Sequence, residues 1–519
     1  MVRRQVPRAA PPPMQENSPP MTLLPPRVSL SDMLLGCARR YGERVALSDD
    51  DRKLSFAQLV SEAAQLAHVL RAEEIGPGAQ VGLALRDNID VLITMTALWM
   101  LDAVAVQLDF RSRVDDRSRL AASFDLVAIV EDRVLPGATY RAIDLRQAIP
   151  LARLKPTTPP KEAQAGDFPA LISLTSGTTG EPIGMVTSHR ALATRFLTYG
   201  FEGPYPSLSR FLNAYPLSFS ASRNHTLGNL LRGNEVIFHP PTFSASELIA
   251  AAQRLAPGFM FAVPATVRDM LDVVGKPATP ALPSLSMLYC GGSGMPAEDK
   301  LDAAAYLSAG FSHCFSSTTT GTVSILNGAD LQARPDTEGR ILPSVRAEIV
   351  DADGNLLPPG EIGALRARSP GAVDSIYKDR DRSGGDRIRD GWGYTGDLGT
   401  IDAEGYLTIR GRTSDMIIRG GANVYPAEVE AAIARLDGVL DVAVTGFADR
   451  VLGEEIAAFV VARPGLGEAE LLAHCRTQLP PDKRPRRFVL LAALPRNPNG
   501  KVLKRELRAT LEEGPTATG

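Results

Sequence analysis

Polar and apolar positions settle into a regular rhythm from Ser29 onward. The spacing predicts a helix over Asp32–Tyr41 capped by Ser31, then a short strand Ala46–Ser48 closed by the acidic turn Asp49–Asp51. A second helix opens at Ser55, with Leu59, Ala63, Leu66 and Leu70 on one face, and Gly76–Gly78 ends it. Val81–Leu85 reads as a strand, Ile89–Leu101 as a buried helix, and Ala103–Leu108 and Leu126–Val130 as further strands. This alternation predicts an α/β chain with parallel-rich sheets covered by helices.

Pro156–Gly166 is a polar connection into the apolar run Ala170–Leu174 and the hydroxyl-rich loop Thr175–Gly184. Ser188 starts a helix with His189 near its beginning. Strand candidates Asn213–Leu217, Glu235–Phe238, Gly258–Ala262 and Met287–Cys290 alternate with helices Ala245–Leu255 and Ala265–Val273. Beyond Gly339 the short strands Ala347–Val350, Gly363–Arg368, Gly399–Ile401 and Tyr406–Ile409 are punctuated by glycine turns, which predicts a small antiparallel lobe. A last unit begins near Arg412: a helix from Pro426, strands Val439–Thr445 and Ala457–Val461, a helix from Glu468 and a basic–apolar end. The expected organisation is a disordered proline-rich tail (1–28), a large domain (29–411), a small mobile α+β domain (412–510) and a flexible tail (511–519).

Composition narrows the function classes. With 56 basic and 59 acidic residues the net charge is −3, which supplies no general attraction to nucleic acid or an anionic membrane. Cys37, Cys290, Cys314 and Cys475 lie far apart without metal-ligand spacing, a usage that fits a reducing cytoplasm better than a disulfide framework. The longest apolar run, Val91–Leu101, is too short to span a bilayer. The residues before Arg27 lack the apolar core of a secretory signal.

The chemistry gathers in a few loops. Thr175, Ser176, Gly177, Thr178, Thr179 and Gly180 combine hydroxyls with backbone that a phosphate can approach closely. The Walker pattern fails here, because Gly180 is followed by Glu181 and Pro182 rather than by lysine and a hydroxyl. Gly292-Ser293-Gly294 fits a dinucleotide fingerprint only loosely, since Asp299 and Asp302 stand too near for a ribose acid.

Together with Gly291–Gly294, Tyr394–Leu398, Gly411-Arg412-x-x-Asp415-x-Ile417 and Pro495–Lys501, the hydroxyl-rich loop resembles the adenylate-forming superfamily: acyl-CoA synthetases, peptide-synthetase adenylation domains and luciferases. The resemblance runs from about Ser29 to Leu507 and is nearest in layout to AMP-forming acid–CoA ligases. It implies that a carboxylate attacks the α-phosphate of ATP, giving an acyl-adenylate and pyrophosphate, and that a thiol then takes the acyl group. By the same resemblance Asp397 holds the ribose hydroxyls and Arg412 the ribose or phosphate. Gly291, Gly292 and Ser293 back the adenine opposite Phe315, with Ser316 beside it. Thr318 and Lys501 are catalytic, the lysine entering for adenylation as the small domain rotates. Gly420 and Gly421 line the thiol tunnel once it has turned away. Phe219, Arg223 and His225 belong to the segment that builds the acid pocket; their polar character suits a polar or aromatic acid, and a surface turn is the alternative.

Four positions depart from the family pattern. Ile183 replaces the loop lysine, and Thr319 replaces the glutamate that holds Mg²⁺, a weaker ligand for a hard cation. Phe219 stands where many acyl-CoA synthetases have histidine, and Ser414 occupies the hinge. The leading expectation is an ATP-dependent, AMP-forming ligase with CoA as acceptor and Mg²⁺ weakly held. One alternative passes the acyl group to a carrier protein or activates an unusual acid such as nitrite; another is a weakened relative acting as a ligand-binding regulator or scaffold. The acid and the oligomeric state are not written in the sequence.

Overall fold

The computed structural model describes residues 28–160, 169–176, 182–198, 209–378, 387–496 and 502–512. Within them, two large sheets carry the first part of the chain. The seven-stranded sheet centres on Gln80–Ala84 and Val104–Gln107, flanked in parallel by Ala128–Glu131 and Pro169–Ser176. The nine-stranded sheet is built on a parallel run of Phe311–Ser317, Met287–Gly291, Phe259–Ala262, Arg210–Asn213, Glu235–Phe238 and Val45–Ser48.

Helices between the strands supply the core. Ser55 accepts from the Gln58 backbone and Gln58 reaches back, a capping box that starts the helix Phe56–Ala72. Its Leu59, Ala63, Leu66 and Leu70 are buried, each leucine contributing about 1.5–3 kcal/mol relative to exposure. The helix Asn88–Trp99 is buried nearly all round, which explains why apolar residues occupy every face of it. Its Trp99 indole donates to the Ala170 carbonyl at 2.9 Å, tying the helix to the strand that enters the hydroxyl-rich loop.

Arg346–Val350, Gly363–Arg368, Trp392–Ile401, Ile388–Arg389 and Leu407–Arg412 form an antiparallel sheet. A further sheet joins Ile417–Arg419, Ala422–Val424, Val439–Asp449, Gly453–Ala462 and Arg487–Leu490, and its core includes Val429, Ile433 and Leu471 from the covering helices Pro426–Ile433 and Glu468–Gln478.

Three local expectations are corrected. The first helix begins at Leu30 with Ser29 at its boundary, so Ser31 lies inside it and bonds the Ser29 hydroxyl at 2.6 Å. The strand expected at Asn213–Leu217 is Arg210–Asn213; Pro216 has no N–H to give a sheet, and Asn88 holds Tyr215 and Leu217 as a turn. Gly399–Ile401 is the end of a ten-residue strand. The four cysteines are free and buried. Among the described residues no helix is long and apolar enough to cross a membrane.

Candidate active site

Pro169–Ser176 and Pro182–Ser188 form an antiparallel hairpin in which Thr175 faces Ile183 and Ser176 faces Pro182. The two ends of the expected loop are therefore strand, while Gly177, Thr178, Thr179 and Gly180 lie outside the described residues. Gly184 must lack a side chain: a Cβ there would meet the Phe124 ring at 2.5 Å.

The glycine run leaves the parallel strand Met287–Gly291. Gly291 faces Cys314 across the ladder, and its Cβ would stand 2.5 Å from the Cys314 sulfur, so its bareness serves strand packing. Gly292 turns the chain at φ 105°, and a Cβ on it would rest 3.8 Å from Phe219 and 3.9 Å from Val263. Nothing stands within 4 Å of a Cβ at Gly294, which leaves open backbone. Phe315 and Ser316 are half-buried near the end of the neighbouring strand, with Phe315 packed toward the smaller antiparallel sheet.

Thr318 is half-buried in the turn that follows, whereas Thr319 is only 4% exposed. The Thr319 carbonyl accepts from Val373 at 2.9 Å, and its methyl lies 3.0 Å from where a Gly393 Cβ would be. That contact sets the hydroxyl turn against the strand carrying Asp397. Among the described residues no group of three or more His, Cys, Asp or Glu could hold a metal ion. The donor set at this turn is hydroxyl and carbonyl, and a buried Thr319 does not fit a protein-ligated Mg²⁺, which ordinarily binds through one or two carboxylates together with substrate phosphates.

Asp397 sits within the strand Trp392–Ile401, not in a tight turn; Gly396 at φ 78° supplies the local kink and the Thr395 hydroxyl accepts from the Asp397 N–H at 3.1 Å. Its cross-strand partner is Arg412, Nε lying 3.2 Å from the carboxylate. The pair joins a nearly buried acid to a half-exposed cation. Arg387, which the sequence reading overlooked, shares this field: burial first, and then the Arg412 charge, lower its pKa, while Asp397 opposes them. Its signal was only its place five residues before Trp392.

The segment after Pro216 is no surface turn. Phe219 precedes the helix Ser220–Leu230, in which Arg223, Asn224 and His225 are buried. Arg223 donates to the Leu217 carbonyl at 2.9 Å and the Ser173 hydroxyl at 2.6 Å, bracing the helix to the strand that leads to Thr175. It is 1% exposed, and both guanidinium NH2 groups are bonded within the protein. His225 stacks on Phe261 and meets Phe259 and Tyr289 edge-on; burial chiefly, then Arg232, pushes its pKa down to about 3. It is a neutral ring in an aromatic cluster.

Gly420 and Gly421 turn the hairpin between Ile417–Arg419 and Ala422–Val424, both with positive φ as a two-residue hairpin turn requires. A Cβ on Gly420 would touch Leu452 of the same sheet region at 3.2 Å. Lys501 lies outside the described residues. Contacts thus gather the glycine run with Phe219, the hydroxyl turn with the Asp397 strand, and Arg223 with the hairpin that carries Thr175. Among the described residues no such contact reaches Gly420 or Gly421.

The AMP-binding enzyme model matches residues 36–377, and the AMP-binding enzyme C-terminal domain model matches residues 428–501. The chain is 31% identical to a feruloyl-CoA synthase of an Amycolatopsis species, over 91% of this chain and 96% of that protein. It is 29% identical to a fatty acid–[acyl-carrier-protein] ligase of Streptomyces coeruleorubidus, over 88% and 92%. The ATP-bound structure of MatB from Rhodopseudomonas palustris superimposes with a TM-score of 0.83 at 25% identity, over 93% of this chain and 99% of that one.

Proposed function

The chain belongs to the AMP-binding enzyme family, and from that premise we propose that it joins a carboxylic acid to CoA through an acyl-adenylate. The Asp397–Arg412 pair carries the reading: a desolvated carboxylate held beside a guanidinium is a ready acceptor for vicinal ribose hydroxyls, with a cation at hand for phosphate.

In the first half-reaction the acid oxygen bonds to the α-phosphorus of ATP and the bond to the β-phosphate oxygen breaks, releasing pyrophosphate. Thr175–Gly180 donate to the phosphates, Thr318 bonds the α-phosphate, and Gly292–Gly294 back the adenine opposite Phe315. Lys501 enters to stabilise charge developing on the α-phosphate. In the second, the CoA sulfur bonds to the acyl carbon and AMP leaves, the small domain having turned Gly420 and Gly421 toward the thiol in place of Lys501. The acid is aromatic or apolar, because Phe219 and Val263 are the side chains that a Cβ on Gly292 would meet.

Acid-dependent pyrophosphate release over a panel of aromatic, aliphatic and dicarboxylic acids tests this reading; turnover favouring the aromatic members is expected. Likeness to the carrier-protein ligase supports a second acceptor. Intact-mass detection of an acylated carrier protein in place of acyl-CoA separates the two.

A further inference from the structure

Behind the glycine run lies a buried ionic cluster that the reaction as described does not use. Cys290 and His313 face one another on adjacent parallel strands, and His313 is 1% exposed. Its Nε2 lies 3.3 Å from the Ser293 carbonyl. Its Nδ1 lies 2.9 Å from Glu338 Oε2, at an angle that makes an ion-pair contact rather than a straight hydrogen bond. Lys300, also 1% exposed, donates to the Thr337 carbonyl at 2.8 Å and stands 3.8 Å from the same Glu338 oxygen.

Glu338 is a rigid anchor. Its N–H donates to the Leu407 carbonyl at 2.7 Å and its carbonyl accepts from the Ser324 hydroxyl at 2.8 Å. Gly339 follows at φ 83°, where a Cβ would fall 2.0 Å from the Ile325 carbonyl oxygen. Burial alone would raise the Glu338 pKa, yet His313 and Lys300 hold it below the ordinary value, as a charged cluster demands.

A carbonyl can only accept, so Nε2 donates to Ser293 while the Glu338 carboxylate lies against Nδ1. A ring so placed fixes the direction of the Ser293 peptide. That peptide belongs to the stretch with open backbone at Gly294. We propose that His313, held by Glu338 and Lys300, is a positioning residue that presets the Gly292–Gly294 backbone for the nucleotide base. This rests on the adenylate-forming reading above, and it assigns the cluster to recognition of ATP rather than to the acid or the thiol.

Calorimetric binding of ATP and of AMP to the full chain, paired with steady-state kinetics, tests it on His313→Leu, His313→Gln and Glu338→Gln. His313→Leu is expected to weaken ATP and AMP binding and raise the KM for ATP about tenfold, a shift typical of losing a buried hydrogen bond, with the KM for the acid unchanged. His313→Gln, which keeps one N–H for the Ser293 carbonyl, recovers most of the loss. Glu338→Gln falls between the two. Unchanged ATP binding in a folded His313→Leu or Glu338→Gln chain overturns the proposal while leaving the adenylate-forming reading intact. Failure of the wild-type chain to bind either nucleotide overturns both.

Discussion

Asp397 and Arg412 face one another across adjacent antiparallel strands, the guanidinium Nε 3.2 Å from a carboxylate that is almost fully shielded from water. On the proposed reading, removing the acid deprives the ribose hydroxyls of an acceptor and breaks the contact to Arg412. Hydrogen bonds to charged groups are worth about 1.5–3 kcal/mol, so Asp397→Ala is expected to lower ATP–pyrophosphate exchange by roughly 10- to 150-fold. Exchange assays on the purified variant check this; wild-type rates would remove Asp397 from the site.

Lys501→Ala separates the half-reactions. Electrostatic stabilisation of this type is worth about 10²–10³ in rate, so adenylation should fall by that factor while preformed acyl-adenylate still reacts with CoA. Single-turnover assays of each step make the comparison. Equal losses in both steps would contradict the domain exchange.

Two neighbouring glycines are expected to fail in different ways. Gly291→Ala drives a methyl onto the Cys314 sulfur and should cost stability, typically about 1–3 kcal/mol for an overpacked core. Gly294→Ala meets nothing within 4 Å, and should leave stability intact while raising the KM for ATP. Denaturant titration alongside ATP kinetics distinguishes them.

Acid weakens the fold through buried histidines. His189, with its Nδ1 accepting from the Leu30 N–H at 3.2 Å, is pushed by burial to a pKa of about 4, and His225 to about 3, against an ordinary value of 6.5. Below pH 6.5 the unfolded chain takes up protons that the folded chain refuses. Stability is therefore complete above 6.5 and falls as pH drops toward 4 and then 3. Urea titrations between pH 7 and 5 should show this slope, and His225→Phe should reduce it by about one proton. An unchanged slope in that variant would contradict the assignment.

Elements with local signals were legible in the sequence. Ala245–Leu255 was read to the residue because Ser244 and Glu247 build a capping box, and Gly363–Arg368 because turn residues bound it. Asp397 and Arg412 were found by motif, but their pairing depends on strand register, which neither local pattern encodes. Arg223 and His225 looked like surface or pocket polarity because their partners are remote: Ser173 lies fifty residues away, and the rings of Phe259, Phe261 and Tyr289 come from other strands. His313, Glu338 and Lys300 escaped for the same reason, each an isolated charge until the sheet brings them together.

Nucleotide products are the most direct test of the central claim. The full chain is incubated with ATP, CoA and the acid panel, and the products are resolved by mass spectrometry. AMP and pyrophosphate formed in equal amounts with acyl-CoA, dependent on one class of acid, are predicted. ADP with phosphate, or no acid-dependent pyrophosphate across the panel, would contradict the account.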